Sequence, residues 1–364
     1  MLKRITVIAL LLLGSGLAGT AWAQTGKAKA GTTKVKAETA KVEPPRPLYG
    51  PNGVSPQAVL QGSLGSCYFH ASIAALAKET PETLRGAISP NPGGGYRVHF
   101  FSGPDEVVLP EDVEFGRTHG YDRSEGTWVG VLMRAYAQRS LRQSLVGAIQ
   151  KSDFIPAFTK PMALSLLDKS DLPLVAYDRA VRSVVRQDGV LDKALLQTKL
   201  TAQLSILGVP ASEAQMLGGF LDVEGFFDAV ALSVEQNGEV FGAYKSLGQG
   251  GVPGWVFEAF LGKGEAAMVA DKKLTIGQLQ QLHAGRMAIV AQTWATPPSD
   301  EVAKANWWVE SHAYTVLDYD EAAQTVTLRN PWAAKPDPDG VFTLPLAVFL
   351  DSYEQYTYAQ TPAP

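Results

Sequence analysis

Gln61-Gly62-Ser63-Leu64-Gly65-Ser66-Cys67-Tyr68-Phe69-His70-Ala71-Ser72-Ile73-Ala74-Ala75-Leu76-Ala77 contains the chain's one cysteine. Gly62 and Gly65 punctuate the first six residues as a loop, and the spacing of Phe69, Ile73, Leu76 and Ala77 predicts a helix with an inward apolar stripe. Ser66 is the natural N-cap, which leaves Cys67 in the first turn. The partial positive charge and unpaired N–H groups of a helix start favour a thiolate, so a depressed thiol pKa is expected. The same N–H groups can hold a developing oxyanion, to which Gln61 adds a side-chain amide donor. Without such surroundings a lone cysteine is most often an inert, buried small residue.

A thiol nucleophile needs an imidazole partner and a group that orients it. The histidines are at 70, 99, 119, 283 and 312. His70 shares the cysteine's helix, where it is poorly placed to reach over a substrate carbonyl, and reads as a packing or surface residue. His99 falls in the strand-like run Tyr96 to Phe100, His119 in a turn beside Gly120, and His283 near Gly285 at a helix end. None of these three has an evident orienting partner in the sequence.

His312 has one. Ser311 to Tyr319 reads as a strand, Asp320 to Ala323 as a polar turn, and Thr325 to Asn330 as a second strand ended by Pro331. A turn centred on Glu321 sets His312 and Asn330 opposite each other on one face of the hairpin. A one-residue slip would send them to opposite faces. An Asn bonded to one imidazole nitrogen fixes the tautomer and leaves the other nitrogen for the thiol, with Trp332 covering that bond from water. An ordinary hairpin with an incidental histidine is the competing account of these residues alone.

The remainder of the chain bounds the setting. Lys3 and Arg4, the apolar run Ile5 to Leu17 and the small residues around Ala21-Trp22-Ala23 predict a signal peptide over 1–23. Gly14, Ser15 and Gly16 break that run, which falls short of the roughly 20 apolar residues of a spanning helix. An exported protein, periplasmic or secreted, is expected, with no transmembrane segment after cleavage. Residues 24–48 carry lysines at 27, 29, 34, 36 and 41 with little that is large and apolar, and read as a disordered Lys/Ala/Pro-rich leader. A formal net charge of -4 argues against nucleic acid as a partner. Residues 49–364 suffice for one large domain or two lobes.

These segments resemble the calpain family of papain-like cysteine peptidases. Gln61 to Tyr68 is similar to the family's Gln-Gly-x-Leu-Gly-Asp-Cys-Trp, Ser311 to Tyr314 to its Gly-His-Ala-Tyr, and Leu328 to Ala333 to its Leu-Arg-Asn-Pro-Trp-Gly. Trp128 to Ala137 looks like the helix ending in Lys-Ala-Tyr-Ala. Ala243 to Gly251 with Phe257 to Gly262 resembles the Tyr-Glu-x-Leu-x-Gly-Gly and Phe-x-Asp-Phe-Thr-Gly run, and Asp339 to Phe342 also has a counterpart. The matches span 55–358 in the family's order. The resemblance implies an α+β, papain-like two-lobe fold, with a helical lobe carrying Cys67 and a β-rich lobe carrying His312 and Asn330. It implies an endopeptidase with Cys67 as nucleophile, His312 as general acid/base, Asn330 as its orienter and Gln61 as an oxyanion donor. A protein or peptide substrate would lie in the cleft between lobes. Acyl transfer of transglutaminase type and a non-catalytic peptide-binding module are the alternatives.

The departures also set expectations. Ser66, Tyr68 and Ala333 replace the family's Asp, Trp and Gly, and Ser311 stands where its Gly precedes the histidine. Ala58 and Met133 replace acidic residues, one of which, the Asp before the Gln, ligates calcium in the animal enzymes. Neither side chain offers an oxygen ligand, so calcium independence and no cofactor are expected. Asp337 to Gly340 reads as a turn. Gly248 to Gly251 lacks the Gly-Lys-Ser/Thr of a phosphate loop. The pattern is interrupted over 139–240 by a helical insertion. There Leu196, Leu200, Leu204 and Leu207 form a stripe ended by Gly208 and Pro210, Ser212 and Gln215 have capping-box spacing, and Phe226 to Leu232 suggests a further buried face.

Overall fold

In the computed structural model the residues described are 46–151, 161, 180, 193–206, 211–212, 243–262, 268–271, 276–293, 295–333 and 339–361. After a short 3-10 turn, the elements run α1 (Cys67–Glu79), α2 (Pro81–Gly86), β1 (Ile88–Pro90), β2 (Tyr96–Val98), β3 (Glu106–Val108), α3 (Pro110–Thr118) and α4 (Trp128–Lys151). Then come α5 (Lys193–Ile206), α6 (Ala243–Gly248), α7 (Pro253–Leu261), β4 (Met268–Asp271), α8 (Ile276–Ala284), β5 (Ala288–Thr293) and α9 (Asp300–Lys304). The chain closes with β6 (Ala313–Asp320), β7 (Thr325–Arg329), β8 (Val341–Pro345), α10 (Leu346–Ser352) and β9 (Tyr353–Ala359).

The result is an α+β protein with two antiparallel sheets. β1, β2 and β3 form a small sheet beside the helices, and a larger one has the strand order β4-β9-β5-β6-β7-β8. The large sheet is covered on both faces. Ala288, Val290, Ala313 and Ala359 join the core that contains α1, α4 and α7, while Ile289, Ala291, Tyr314 and Tyr356 belong to a second core with α8 and α10. This alternation along β5 and β6 is the period-2 signature of a strand between two layers.

α1 is the hinge between the helical part and the sheet. A one-sided stripe was expected there, yet every residue from Tyr68 to Ala77 is buried. Ala71, Ser72, Ala74 and Ala75 are small enough to let β5, β6 and α7 close around the helix. Phe69, Ile73 and Leu76 fill the gaps between them, each worth about 1.5–3 kcal/mol on burial. The helix carrying the cysteine is therefore a central core element.

α4 runs unbroken from Trp128 to Lys151, across the expected start of the insertion at 139. The segment that resembles the family and the expected start of the insertion thus lie on one helix. α5 covers the first three leucines of the expected stripe and buries Leu200, while Leu207 lies outside the described residues. Ala211 and Ser212 are helical, but Gln215 and the Phe226 to Leu232 face lie outside the described residues. So do the signal segment and the leader up to residue 45. Among the described residues no helix is long and apolar enough to cross a membrane.

Candidate active site

The loop before α1 is shaped by close approaches that only glycine tolerates. A Cβ on Gly62 would lie 1.9 Å from the Gly120 carbonyl oxygen, and one on Gly65 2.5 Å from that of Gly248. On the other side of the thiol, a Cβ on Gly251 would fall 2.6 Å from the Tyr68 ring. The Gly248 to Gly251 turn thus packs directly on the cysteine loop, although nothing in its sequence announced that role. The Leu64 carbonyl gathers the loop, accepting from Gln61 Nε2 at 2.7 Å and from the Ser66 N–H at 2.7 Å.

Ser66 precedes the helix as expected but does not cap it through its side chain. Its hydroxyl lies 3.1 Å from His70 Nδ1, which is also 3.0 Å from the Ser66 carbonyl. The first helical bond runs from the His70 N–H to that carbonyl, so the N–H groups of Cys67, Tyr68 and Phe69 stand outside the helical ladder. His70 is wholly buried, a packing residue and not a surface one.

Cys67 is partly buried at the head of α1. A depressed pKa was expected; instead, burial pushes the thiol up from its ordinary value. Hydrogen bonds from the backbone of Ala313, then of Tyr68 and of Cys67 itself, pull the other way without overcoming the desolvation. The helix start does supply donors to the sulfur, but the apolar packing of α1 outweighs them. The Ala313 contact also fixes the meeting of the two halves, because Ala313 directly follows His312. Nearby, the Thr315 hydroxyl of β6 donates to the Ala71 carbonyl of α1 at 2.9 Å, a buried bond that sets the helix against the strand.

His312 Nε2 lies 3.0 Å from Asn330 Oδ1. The Trp332 N–H donates to the same oxygen at 3.0 Å, so the amide can only present its carbonyl to both. Nε2 must then carry the proton, and Nδ1 keeps the lone pair of the neutral ring. The Trp332 ring packs on the imidazole with centroids 4.4 Å apart, as the sequence suggested. Burial lowers the His312 pKa to about 4, against the opposing bond to Asn330. Thiol and imidazole are therefore both uncharged at neutral pH.

The route by which these side chains meet differs from the expected one. His312 lies just before β6, and the hairpin is not centred on Glu321. Asp318 pairs with Thr327, Tyr319 with Val326 and Asp320 with Thr325, but past a bulge Val316 pairs with Leu328 and Thr315 with Arg329. Carried straight on, the first register would set Asn330 opposite Thr315, facing away from His312. The extra residue, Leu317, moves it opposite Tyr314, a diagonal neighbour of His312 on the same face.

Sequence reasoning missed Thr293. Its hydroxyl accepts from the His312 N–H at 3.0 Å and donates to the Val309 carbonyl at 2.6 Å, and its own N–H donates to the His312 carbonyl at 3.0 Å. A threonine at the end of an alternating apolar strand gives no signal in sequence. The remaining histidines have partners after all. His99 pairs with Asp105 at 2.8 Å, His283 with Asp318 at 3.5 Å, and His119 Nδ1 with the Phe115 carbonyl at 2.8 Å, all at exposed positions. Ala58 and Met133 are fully buried among apolar neighbours. Among the described residues no group of three or more His, Cys, Asp and Glu side chains could hold a metal.

No model of a known protein family matches the chain, and no curated protein matches it. Among solved structures it is similar to that of PepW from Lactobacillus rhamnosis, at 11% identity over 88% of this chain and 82% of that one. The TM-score is 0.29, a likeness that carries no argument about fold or chemistry.

Proposed function

We propose that the chain is an exported, calpain-like cysteine endopeptidase of papain-like two-lobe fold, acting on protein or peptide substrates without calcium. The observation that carries this reading is the chain of contacts Trp332 N–H, Asn330 Oδ1 and His312 Nε2, on a segment whose next residue, Ala313, bonds the Cys67 sulfur. An incidental histidine has no need of a tautomer fixed from both sides of its partner.

In this mechanism Cys67 attacks the scissile carbonyl as a neutral thiol. The S–C bond forms while His312 Nδ1 takes the thiol proton, so a preformed ion pair is not required. The developing oxyanion is met by the N–H groups at the start of α1 that stand outside the helical ladder and by the second N–H of Gln61 Nε2. His312 then returns its proton to the leaving amine, and water hydrolyses the thioester with His312 as base. The upward shift of the thiol favours one competing reading, a peptide-binding module that keeps an unreactive cysteine. Cleavage of a protein substrate, with labelling of Cys67 by a thiol-directed inhibitor, separates the two. Loss of cleavage in a folded Cys67→Ala variant is expected; cleavage that persists in it rejects the proposal.

A further inference from the structure

Arg329 is a buried cation in a strand that could be apolar. It is 1% exposed, it precedes Asn330, and among the described residues its Nε and Nη1 have no hydrogen-bond partner, although the Asp339 carboxylate favours its charge. Its one side-chain bond among the described residues runs out of the sheet, from Nη2 to the Val59 carbonyl at 2.7 Å. A guanidinium left this incompletely paired costs more to bury than a methionine of similar volume, so packing alone gives no reason for it.

What the bond reaches supplies the reason. Val59 lies two residues before Gln61, and the Gln61 N–H donates to the Pro331 carbonyl at 2.8 Å. Residues 329 and 331 thus grip residues 59 and 61 like two rungs of a ladder. Asn330, between the upper two, holds the His312 ring. Gln61 in turn sends its amide to Leu64, within the loop that leads into Cys67. One short segment therefore sets both the group that orients the base and the group that meets the oxyanion.

We propose that Arg329 is a positioning residue that holds the Gln61 amide in register with Asn330 through the Val59 carbonyl. This rests on the peptidase reading and adds to it a strap across the seam between the helical part and the sheet. Losing the strap lets the Gln61 segment shift while the thiol and His312 stay as they are.

The test is a double-mutant cycle on a peptide aldehyde. Cys67 sulfur adds to the aldehyde carbon, the C=O π pair becomes the oxyanion that Gln61 meets, and the thiol proton passes to His312. Arg329→Met is expected to weaken the adduct about tenfold, less than the loss of a donor itself. In a Gln61→Ala background it is expected to add nothing, and the rate of Cys67 alkylation by iodoacetamide should not change. A purely structural Arg329 would instead lower adduct affinity and alkylation together and act additively with Gln61→Ala, which overturns the proposal. Should Arg329→Met fail to fold, Arg329→Lys, a shorter donor, carries the same cycle. Absence of any adduct in wild type overturns the peptidase reading and this inference with it, a result distinct from an additive cycle.

Discussion

The two halves of the candidate site are positioned by different forces. The cysteine half is placed chiefly by shape: a helix buried all round, two loop glycines and Gly251 of the facing turn in contacts too close for any side chain, and no side-chain cap. The histidine half is placed by hydrogen bonds, with Thr293 holding the backbone and Asn330 the ring. On the proposed mechanism, the contrast follows from the chemistry asked of each. A sulfur accepts only weak hydrogen bonds and so is best located by steric walls. An imidazole must keep one tautomer and one direction, which only polar partners can impose.

The largest expected effect comes from removing the ring or its orienter. In the proposed mechanism His312→Ala removes proton transfer and not binding, so it should lower kcat by roughly 10²–10⁴-fold with KM little changed. Asn330→Ala should cost less, because the ring survives and only its tautomer is released. Steady-state kinetics on one peptide substrate decide this, and an Asn330→Ala enzyme as fast as wild type would mean that the ring is oriented by Trp332 packing.

Protonation of the buried ring gives the next effect. The folded-state pKa of about 4 lies below the ordinary 6.5. Between these values the unfolded chain takes up a proton that the folded chain refuses, so stability falls as pH drops from 6.5 toward 4. The span corresponds to about 3 kcal/mol at this one site. Denaturant unfolding at pH 7 and at pH 4 should reveal that loss in wild type and a smaller one in His312→Gln. Equal losses in both would show that the ring is accessible to protons in the folded state.

Thr293 measures the hydrogen-bonded half more finely. Thr293→Val keeps the shape and leaves the His312 N–H buried without an acceptor, at a cost of about 1–3 kcal/mol. Thr293→Ser restores the hydroxyl and should recover kcat even though it removes a methyl group. If Val and Ser behave alike, packing and not hydrogen bonding fixes the backbone of His312.

How much of this was readable in sequence divides along the same line. The loop, the helix from Cys67 and the hairpin were legible, because glycine spacing, apolar period and turn residues are local signals. The pairing of His312 with Asn330 was legible in outcome but not in route. The bulge at Leu317 leaves no mark in the composition of the strand, and a centre at Glu321 reached the same face by a different register. The direction of the thiol pKa was not legible, since it depends on how deeply α1 is packed, which residues distant in sequence decide. Arg329 and Thr293 were silent for the same reason: their partners, Val59 and His312, lie far away along the chain.

The smallest effect concerns Ser311 and Ala333, two residues that stand where the family resembled in sequence has glycine. Ser311 has φ 47° and Ala333 φ 50°, both in the left-handed region. They flank the histidine and the Asn-Pro-Trp turn, so both halves of the Asn330 clamp end on a residue held where glycine is at ease. A left-handed residue with a Cβ costs about 1–2 kcal/mol, and glycine gives back about 0.4–1 kcal/mol through the freer unfolded chain. Ser311→Gly and Ala333→Gly should therefore each stabilise by up to about 1 kcal/mol, read as a rise in the denaturation midpoint without a change in slope. The two sites do not bond each other, so the double variant should be nearly additive. A fall in stability at either site would mean that the backbone there is held by its side chain, and that the hydrogen-bonded half depends on shape as much as the cysteine half does.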